Sequence, residues 1–310
     1  MRKKMISFVS LGLVCVTFFL SCKANDPDAD EQQLSSVFEK PDKIISNREA
    51  VVLFTNDHLT RLTSIGKSST TFKDKTIHFE LTELTNYIQH VETIAATQNI
   101  PITGISFVFG ADTTGKRTTF LMPSTRNAQL DYQESFTIEN GQFLTFTHID
   151  TFVPAKVSSN NDENLILSTN GYISFNEATV LFNDYQQLYI QPFATAVKRD
   201  YYTKAVWYSL DEIKGYIAYI QQQSTVHNLG ITGIDVFFGV YDTNPELELK
   251  SNAQTVFLTA NTSQETIINS KGAQLNTFLK NDFFSKNTPS DEEESLTYNM
   301  GQLSPPPTTN

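Results

Sequence analysis

The sequence predicts an α+β protein built from two tandem α-β-α-β-β units, each a small mixed sheet covered by helices. Three observations carry this expectation. An internal repeat covers most of the chain, apolar positions alternate between helical and strand spacing in the same order in both copies, and helix-start signals recur at equivalent places. Residues 46–54 (SNREAVVLF) return as 174–182 (SFNEATVLF), with six of nine positions identical at an offset of 128. Residues 77–88 (IHFELTELTNYI) return as 206–217 (VWYSLDEIKGYI), and 103–110 (TGISFVFG) as 232–239 (TGIDVFFG), both at 129. The last block, 118–121 (TTFL), matches 255–258 (TVFL) at 137, so the second copy carries eight extra residues in one loop.

Each element follows from its residues. Ser46 and Ser174, with Glu49 and Glu177 three positions on, form capping boxes in which a hydroxyl and a carboxylate satisfy the free amides of a helix start. The helices they open place Ala50, Leu53 and Phe54, and Ala178, Leu181, Phe182 and Tyr185, on one face. Strands are expected at 76–79 and 204–208. Each feeds a second helix with an i, i+3, i+4, i+7 stripe: Leu84, Tyr87, Ile88 and Val91, then Ile213, Tyr216, Ile217 and Ile220. Ser209 with Glu212 caps the later of these helices. Strand pairs at 102–109 with 118–122, and at 231–241 with 254–259, close the copies as hairpins. The strand-helix-strand step predicts a right-handed crossover between parallel strands. Gly104 and Gly233 are read as serving backbone geometry.

The expected organisation is a signal peptide (1–21), an acidic tether (22–42), a first unit (43–150), a linker (151–170), a second unit (171–284) and a disordered tail (285–310). Residues 126–140, mostly polar, are expected to decorate the end of the first unit. The tail combines the acidic run 291–294 with three consecutive prolines, a composition too poor in apolar surface to order itself.

Arg2, Lys3 and Lys4 precede sixteen mostly apolar residues, 5–20, too few for the roughly 20 that a spanning helix needs. Phe19-Leu20-Ser21-Cys22 then resembles a lipobox, departing from it at Phe19, so Cys22 becomes the first mature residue and the lipidation site. Three acyl chains on Cys22 would hold the protein at a membrane, since each buried methylene contributes about 0.8 kcal/mol. In the Gram-negative sorting scheme that this signal resembles, Lys23 after the cysteine favours the outer membrane. Asp26, Asp28, Asp30 and Glu31 look like the surface-export signal of Bacteroidota lipoproteins, or serve as a solvated tether.

Removal of 1–21 takes three cations and no acids. It leaves 20 Lys and Arg against 34 Asp and Glu, a net charge of about −14, and no basic run longer than a pair, so nucleic acid is not an expected partner. Cys15 leaves with the signal and the Cys22 sulfur becomes a thioether. Disulfides, thiol catalysis and cysteine-ligated zinc are thereby excluded.

The order of these motifs, best kept in the second copy and followed by Tyr298 and its neighbours (YNMGQLSPPP), resembles a group of uncharacterised Bacteroidota lipoproteins. The first copy departs at His78 and Glu80, where the second has Trp207 and Ser209. The resemblance implies lineage and compartment and no chemistry.

Catalytic signatures are weak. Residues 110–116 (GADTTGK) have P-loop spacing, but Arg117 stands where a magnesium-binding hydroxyl is required and a strand follows, so a hairpin loop is expected. The five histidines form no HxH, HxxxH or HExxH, and no metal or cofactor is expected. His78, opposite Trp207 in the repeat, is read as a packing residue. Aromatic residues make up 12% of the chain, and Tyr201, Tyr202, Trp207 and Tyr241 are the candidate recognition residues. Two functions stay open: a lipid-anchored, non-enzymatic binding or structural module of the outer membrane with an unknown protein or glycan ligand, and a cell-surface hydrolase of glycans or peptides.

Overall fold

Capping boxes start three helices where the sequence places them. In the computed structural model, Ser46, Ser174 and Ser209 each accept a hydrogen bond from the amide three residues on, and Glu49, Glu177 and Glu212 return one. The structure describes residues 40–67, 76–129, 132–139, 142–146, 174–197, 202–243, 250–262, 267–268, 274–275, 295–299 and 301–304, all within one compact unit, Phe38–Asn310. The signal, Cys22 and the 151–170 linker lie outside the described residues.

Both copies fold in the expected order. The first contributes α1 (Asn47–Thr55), the short α2 (Leu62–Ser64), β2 (Thr76–Glu80), α3 (Leu81–Gln98), β3 (Gly104–Ala111) and β4 (Arg117–Asn127). The second contributes α4 (Phe175–Tyr185), α5 (Gln191–Val197), β7 (Ala205–Ser209), α6 (Leu210–His227), β8 (Ile231–Val240) and β9 (Gln254–Thr262). Asn99 and Asn228 end α3 and α6 in the left-handed conformation, another equivalence at 129.

The pairing of the strands corrects the expected mixed sheet inside each copy. Every strand pair among the described residues is antiparallel, and each copy lends its first strand to the hairpin of the other. β2 pairs with β8, placing Glu80 opposite Gly233, and β7 pairs with β3, placing Ser209 opposite Gly104. No parallel crossover forms, because β2 and β3, joined by α3, belong to different sheets. The α+β class holds, with the two copies sharing both sheets.

Helices are exchanged as well. A Cβ on Gly239 of β8 would lie 3.0 Å from the Leu53 Cβ of α1, and one on Gly110 of β3 would lie 3.1 Å from the Leu181 Cβ of α4. These are equivalent glycines under equivalent leucines, each pair formed across the copies. β3 is buried along its whole length, with Phe107 and Phe109 facing one core and Val108 facing α4. Rings from the two sheets meet directly: Phe109 lies 5.0 Å from Phe238, and Phe79 6.1 Å from Phe107.

Gly104 and Gly233 serve backbone geometry through close approach, and Gly233 also stands at a register shift of β8. Neither adopts a positive φ; a Cβ at Gly104 would collide with Trp207 and the Tyr208 carbonyl, and one at Gly233 with His78 and the Phe79 carbonyl. Each glycine is the floor on which a ring of the exchanged strand lies. The packing role expected of His78 follows from this.

Three further corrections concern the flanks. The 126–140 segment extends the second sheet, where β5 (Tyr132–Glu139) pairs with β4 and with β6 (Gln142–Phe146), burying Tyr132, Phe136 and Ile138. Within the expected tail, β12 (Thr297–Tyr298) lies between β9 and β1 (Ile44–Ile45), and β13 (Gln302–Ser304) pairs with β7. Leu296, Tyr298 and Leu303 are buried, and the Tyr216 hydroxyl donates to the Leu296 carbonyl at 2.8 Å. Ordering this polar segment is offset by apolar anchors and by backbone bonds to two sheets. A separate ribbon joins β10 (Ile267–Ile268) to β11 (Gln274–Leu275). The sheet orders are β1-β12-β9-β8-β2 and β13-β7-β3-β4-β5-β6.

Gly104→Ala and Gly233→Ala are each expected to lower unfolding free energy in urea by about 1–3 kcal/mol through overpacking. Gly215→Ala, on α6 with open space around it, is expected to be neutral or to stabilise by up to about 1 kcal/mol. Leu303→Ala should cost about 2–5 kcal/mol.

Candidate functional site

A groove opens beside the first helix of the first copy. Its position is set by π-helical turns that widen the first helix of each copy, Asn56–Arg61 after α1 and Gln186–Ile190 after α4. In each, an amide reaches back five residues, Leu62 to Asp57 and Gln191 to Gln186. Such turns add a residue to the helical repeat and so re-aim the side chains beyond them.

Beneath the groove the turns direct a pair of matched polar contacts inward. Asp57 accepts two hydrogen bonds from Arg117, at 3.0 Å to Nη1 and 2.6 Å to Nη2, and both side chains are buried. Tyr185, the counterpart of Asp57, donates to the Gln254 side-chain carbonyl at 2.7 Å, and Gln254 is the counterpart of Arg117. Gln254 Nε2 then donates to Asp57 at 3.3 Å, so the two pairs form one network across the copies. The Arg117 guanidinium lies 4.2 Å from the Phe238 ring centroid. Burial works against its charge, but the Asp57 carboxylate outweighs this and holds its pKa above the ordinary value. These groups are locked to one another, and their role is to fix the floor.

The same turn also holds the hairpin loop above it. In the second copy the Tyr189 hydroxyl donates to the carbonyl of Gly115, a left-handed residue of the β3–β4 loop, at 2.7 Å. In the first copy Arg61 replaces tyrosine and donates to the carbonyl of Asn252, also left-handed, in the β8–β9 loop at 2.8 Å. Leu188 packs toward Gly115 and closes that side, whereas its counterpart is the exposed Thr60 and the opposing loop is eight residues longer. The result is an open groove of about 530 Å³ lined by Asn56, Thr60, Arg61 and Ser64 on one wall and Val240, Asp242, Thr243 and Asn252 on the other.

Its chemistry is that of amides, hydroxyls, one guanidinium and one carboxylate. Several of these groups are already oriented: Asn56 donates to the Val240 carbonyl at 3.3 Å, Ser64 to the Arg61 carbonyl at 2.7 Å and Thr243 to Asn252 Oδ1 at 3.0 Å. The volume falls within the range of small-molecule sites, and the lining offers both donors and acceptors.

A second polar cluster surrounds His78. Its Nδ1 lies 2.8 Å from the buried Asp235, its Nε2 3.1 Å from Glu80, and Asn261 donates to the other Asp235 oxygen at 2.7 Å. The counterparts in the other sheet are Trp207, Ser106, Ser209 and Ser124, with Ser106 and Ser124 hydroxyls 2.7 Å apart. Burial lowers the imidazole pKa, but the two carboxylates outweigh it and raise the value above the ordinary 6.5. Among the described residues no group of three or more His, Cys, Asp or Glu is placed to hold a metal ion.

The aromatic candidates do not converge. Tyr241 is buried, its hydroxyl donating to Asn299 Oδ1 at 3.3 Å, which removes it from surface recognition. Trp207 is half-buried against Gly104, Tyr202 is half-buried against the core, and Tyr201 lies outside the described residues. The 110–116 segment is the expected hairpin loop, with Asp112 accepting from the amides of Thr114 and Lys116. No protein-family model, curated protein or solved structure matches the chain. The groove is not legible in its residues one by one; its trace in the sequence is the loop insertion and the Leu188-to-Thr60 difference.

Asp57→Asn leaves a buried guanidinium without its counter-charge and should cost about 3–5 kcal/mol, while joint replacement of Asp57 and Arg117 by leucine and methionine should recover most of that loss. The His78 contribution has the sign of a raised pKa. It is fully present below the unfolded-state value of about 6.5 and is lost as pH rises through the higher folded value. The stability difference between the native protein and His78→Gln, followed by urea unfolding at several pH values, should therefore shrink as pH rises through neutrality.

Proposed function

We propose that this protein is a lipid-anchored outer-membrane binding module that uses the Asn56–Asn252 groove to hold a polar ligand without transforming it. The single observation that carries this reading is the divergence of the repeat. Leu188 and Tyr189 of the second copy close the space under the first copy's hairpin loop, whereas at the equivalent place Thr60 and Arg61 of the first copy face Asp242, Thr243 and Asn252 of the second across an open groove. Two polar walls facing one another suit a ligand rich in hydroxyl and amide groups, such as a glycan or an extended peptide. The lipobox ending at Cys22 supports attachment to the outer membrane, with the acidic segment behind it as the spacer.

The alternative, a cell-surface hydrolase, would in its glycan-cleaving form use two carboxylates roughly 5–10 Å apart in the cleft. Asp242 is one carboxylate of the described lining.

Two measurements test the proposal. Cys22→Ala should leave the chain as unprocessed precursor or release it from the membrane fraction; a variant still cleaved and membrane-bound contradicts the anchor. On an array of envelope and host glycans and peptides, the mature chain should retain a subset of probes, and Thr60→Leu, which installs the residue of the other copy, should weaken retention at least tenfold. Shortened products released from the retained probes would contradict the non-enzymatic reading.

A further inference from the structure

The hydrogen bonds along the groove run in a common direction. Ser64 turns its hydroxyl hydrogen onto the Arg61 carbonyl at 2.7 Å, Thr243 turns its own onto Asn252 Oδ1 at 3.0 Å, and Asn56 gives an amide hydrogen to the Val240 carbonyl at 3.3 Å. These donors are used inside the protein, and each of the three side chains keeps an oxygen able to accept. The charges are divided in the same way. Arg61, the cation of the lining, directs Nη2 to the Asn252 carbonyl at 2.8 Å and lies 5.4 Å from the Phe193 ring centroid, with only 7% of the residue exposed. Asp242 is exposed; one of its oxygens accepts from the Thr243 amide at 2.7 Å, and among the described residues no donor reaches the other. The loop that follows it, residues 243–249 (TNPELEL), contains no cation, and Lys250 stands near Lys43 and Glu212 instead.

We propose that the groove selects an arginine side chain of an extended peptide, with the guanidinium directed at Asp242 and its remaining hydrogens shared among the outward oxygens of the two walls. The inference rests on the reading of the groove as a ligand site and narrows its ligand from polar to cationic.

Three considerations choose this occupant. A guanidinium is a planar fork of donors with no acceptor, and it meets a carboxylate side by side, whereas an ammonium concentrates its donors at one point. Acceptors on two facing walls, Asn56, Thr60 and Ser64 against Asp242 and Thr243, suit the planar group. An acidic ligand would set its charge against Asp242, while the lining cation is already held by a carbonyl and a ring. The described lining includes no aromatic ring on which the apolar face of a sugar could lie, which favours a peptide over a glycan. The net charge of the mature chain, about −14, acts in the same sense by steering cationic segments toward the surface.

The test uses the full mature chain carrying Cys22→Ser and a set of short alanine-glycine peptides that differ at one central position, which is arginine, citrulline, lysine or glutamate, with a chitosan oligosaccharide as the cationic glycan. Titrations are followed by amide proton NMR at low salt. The arginine peptide should bind saturably, and the citrulline peptide, which keeps the shape and loses the charge, at least fivefold more weakly. Asp242→Asn should abolish the preference for arginine over citrulline, and Thr60→Leu should weaken binding of the arginine peptide at least fivefold. Arginine binding that ignores both substitutions would place the cation elsewhere on the acidic surface and overturn the inference. Tighter binding of the citrulline, lysine or glutamate peptide, or of the oligosaccharide, with sensitivity to Thr60→Leu would overturn it as well while leaving the groove as a ligand site, and so would the lack of saturable binding by every peptide. The reading of the groove itself fails only if no probe retained on the array responds to Thr60→Leu.

Discussion

Each copy of the repeat completes the sheet of the other, and this exchange organises the molecule. β2 finds its hydrogen-bonding partner in β8, and β7 finds one in β3, so each hairpin is completed by the other half of the chain. The glycines enforce the arrangement at close range. Gly104 and Gly233 leave space for Trp207 and His78 from the exchanged strands, and Gly110 and Gly239 admit Leu181 and Leu53 from the exchanged helices. With Phe109 against Phe238 between the sheets, the halves share one core. Separation would expose strand edges and aromatic surface together.

Symmetric frameworks allow one half to change while the other preserves the architecture. The inward contacts remain matched, Asp57 with Arg117 against Tyr185 with Gln254, although the residue types differ completely. The outward positions have parted, Thr60 and Arg61 against Leu188 and Tyr189. A buried ion pair is a weak source of net stability, because desolvation of both charges opposes their attraction. Its geometric effect is clearer: the bidentate contact and the stacking on Phe238 hold the π turn at one angle, and that angle orients the groove wall.

Much of this fold is legible in the sequence. The capping boxes at Ser46, Ser174 and Ser209, the stripe from Leu84 to Val91 and the hairpin at 110–116 follow from local chemistry and stand as read. The exchange of strands is not legible, since two equivalent copies offer the same edges and the same apolar faces to themselves and to each other. The ordering of β12 and β13 was hidden by composition, because the acidic run and the prolines dominate the segment while Leu296, Tyr298 and Leu303 supply its anchors. Tyr241 is ambiguous for a related reason: a tyrosine at a strand end suits a binding surface or a core equally well until Asn299 is brought beside it. The groove sets Asp242, Thr243 and Asn252, from a loop of one copy, against Thr60 in a helix of the other, a pairing that only the exchanged topology creates.

The most direct test of the shared architecture is to produce residues 38–150 and 151–310 as separate chains and to compare each alone, and both mixed, by amide proton NMR and urea unfolding. The account predicts that neither folds as a monomer and that the mixture regains one cooperative unfolding transition. A half that unfolds cooperatively as a monomer with a dispersed spectrum would contradict it.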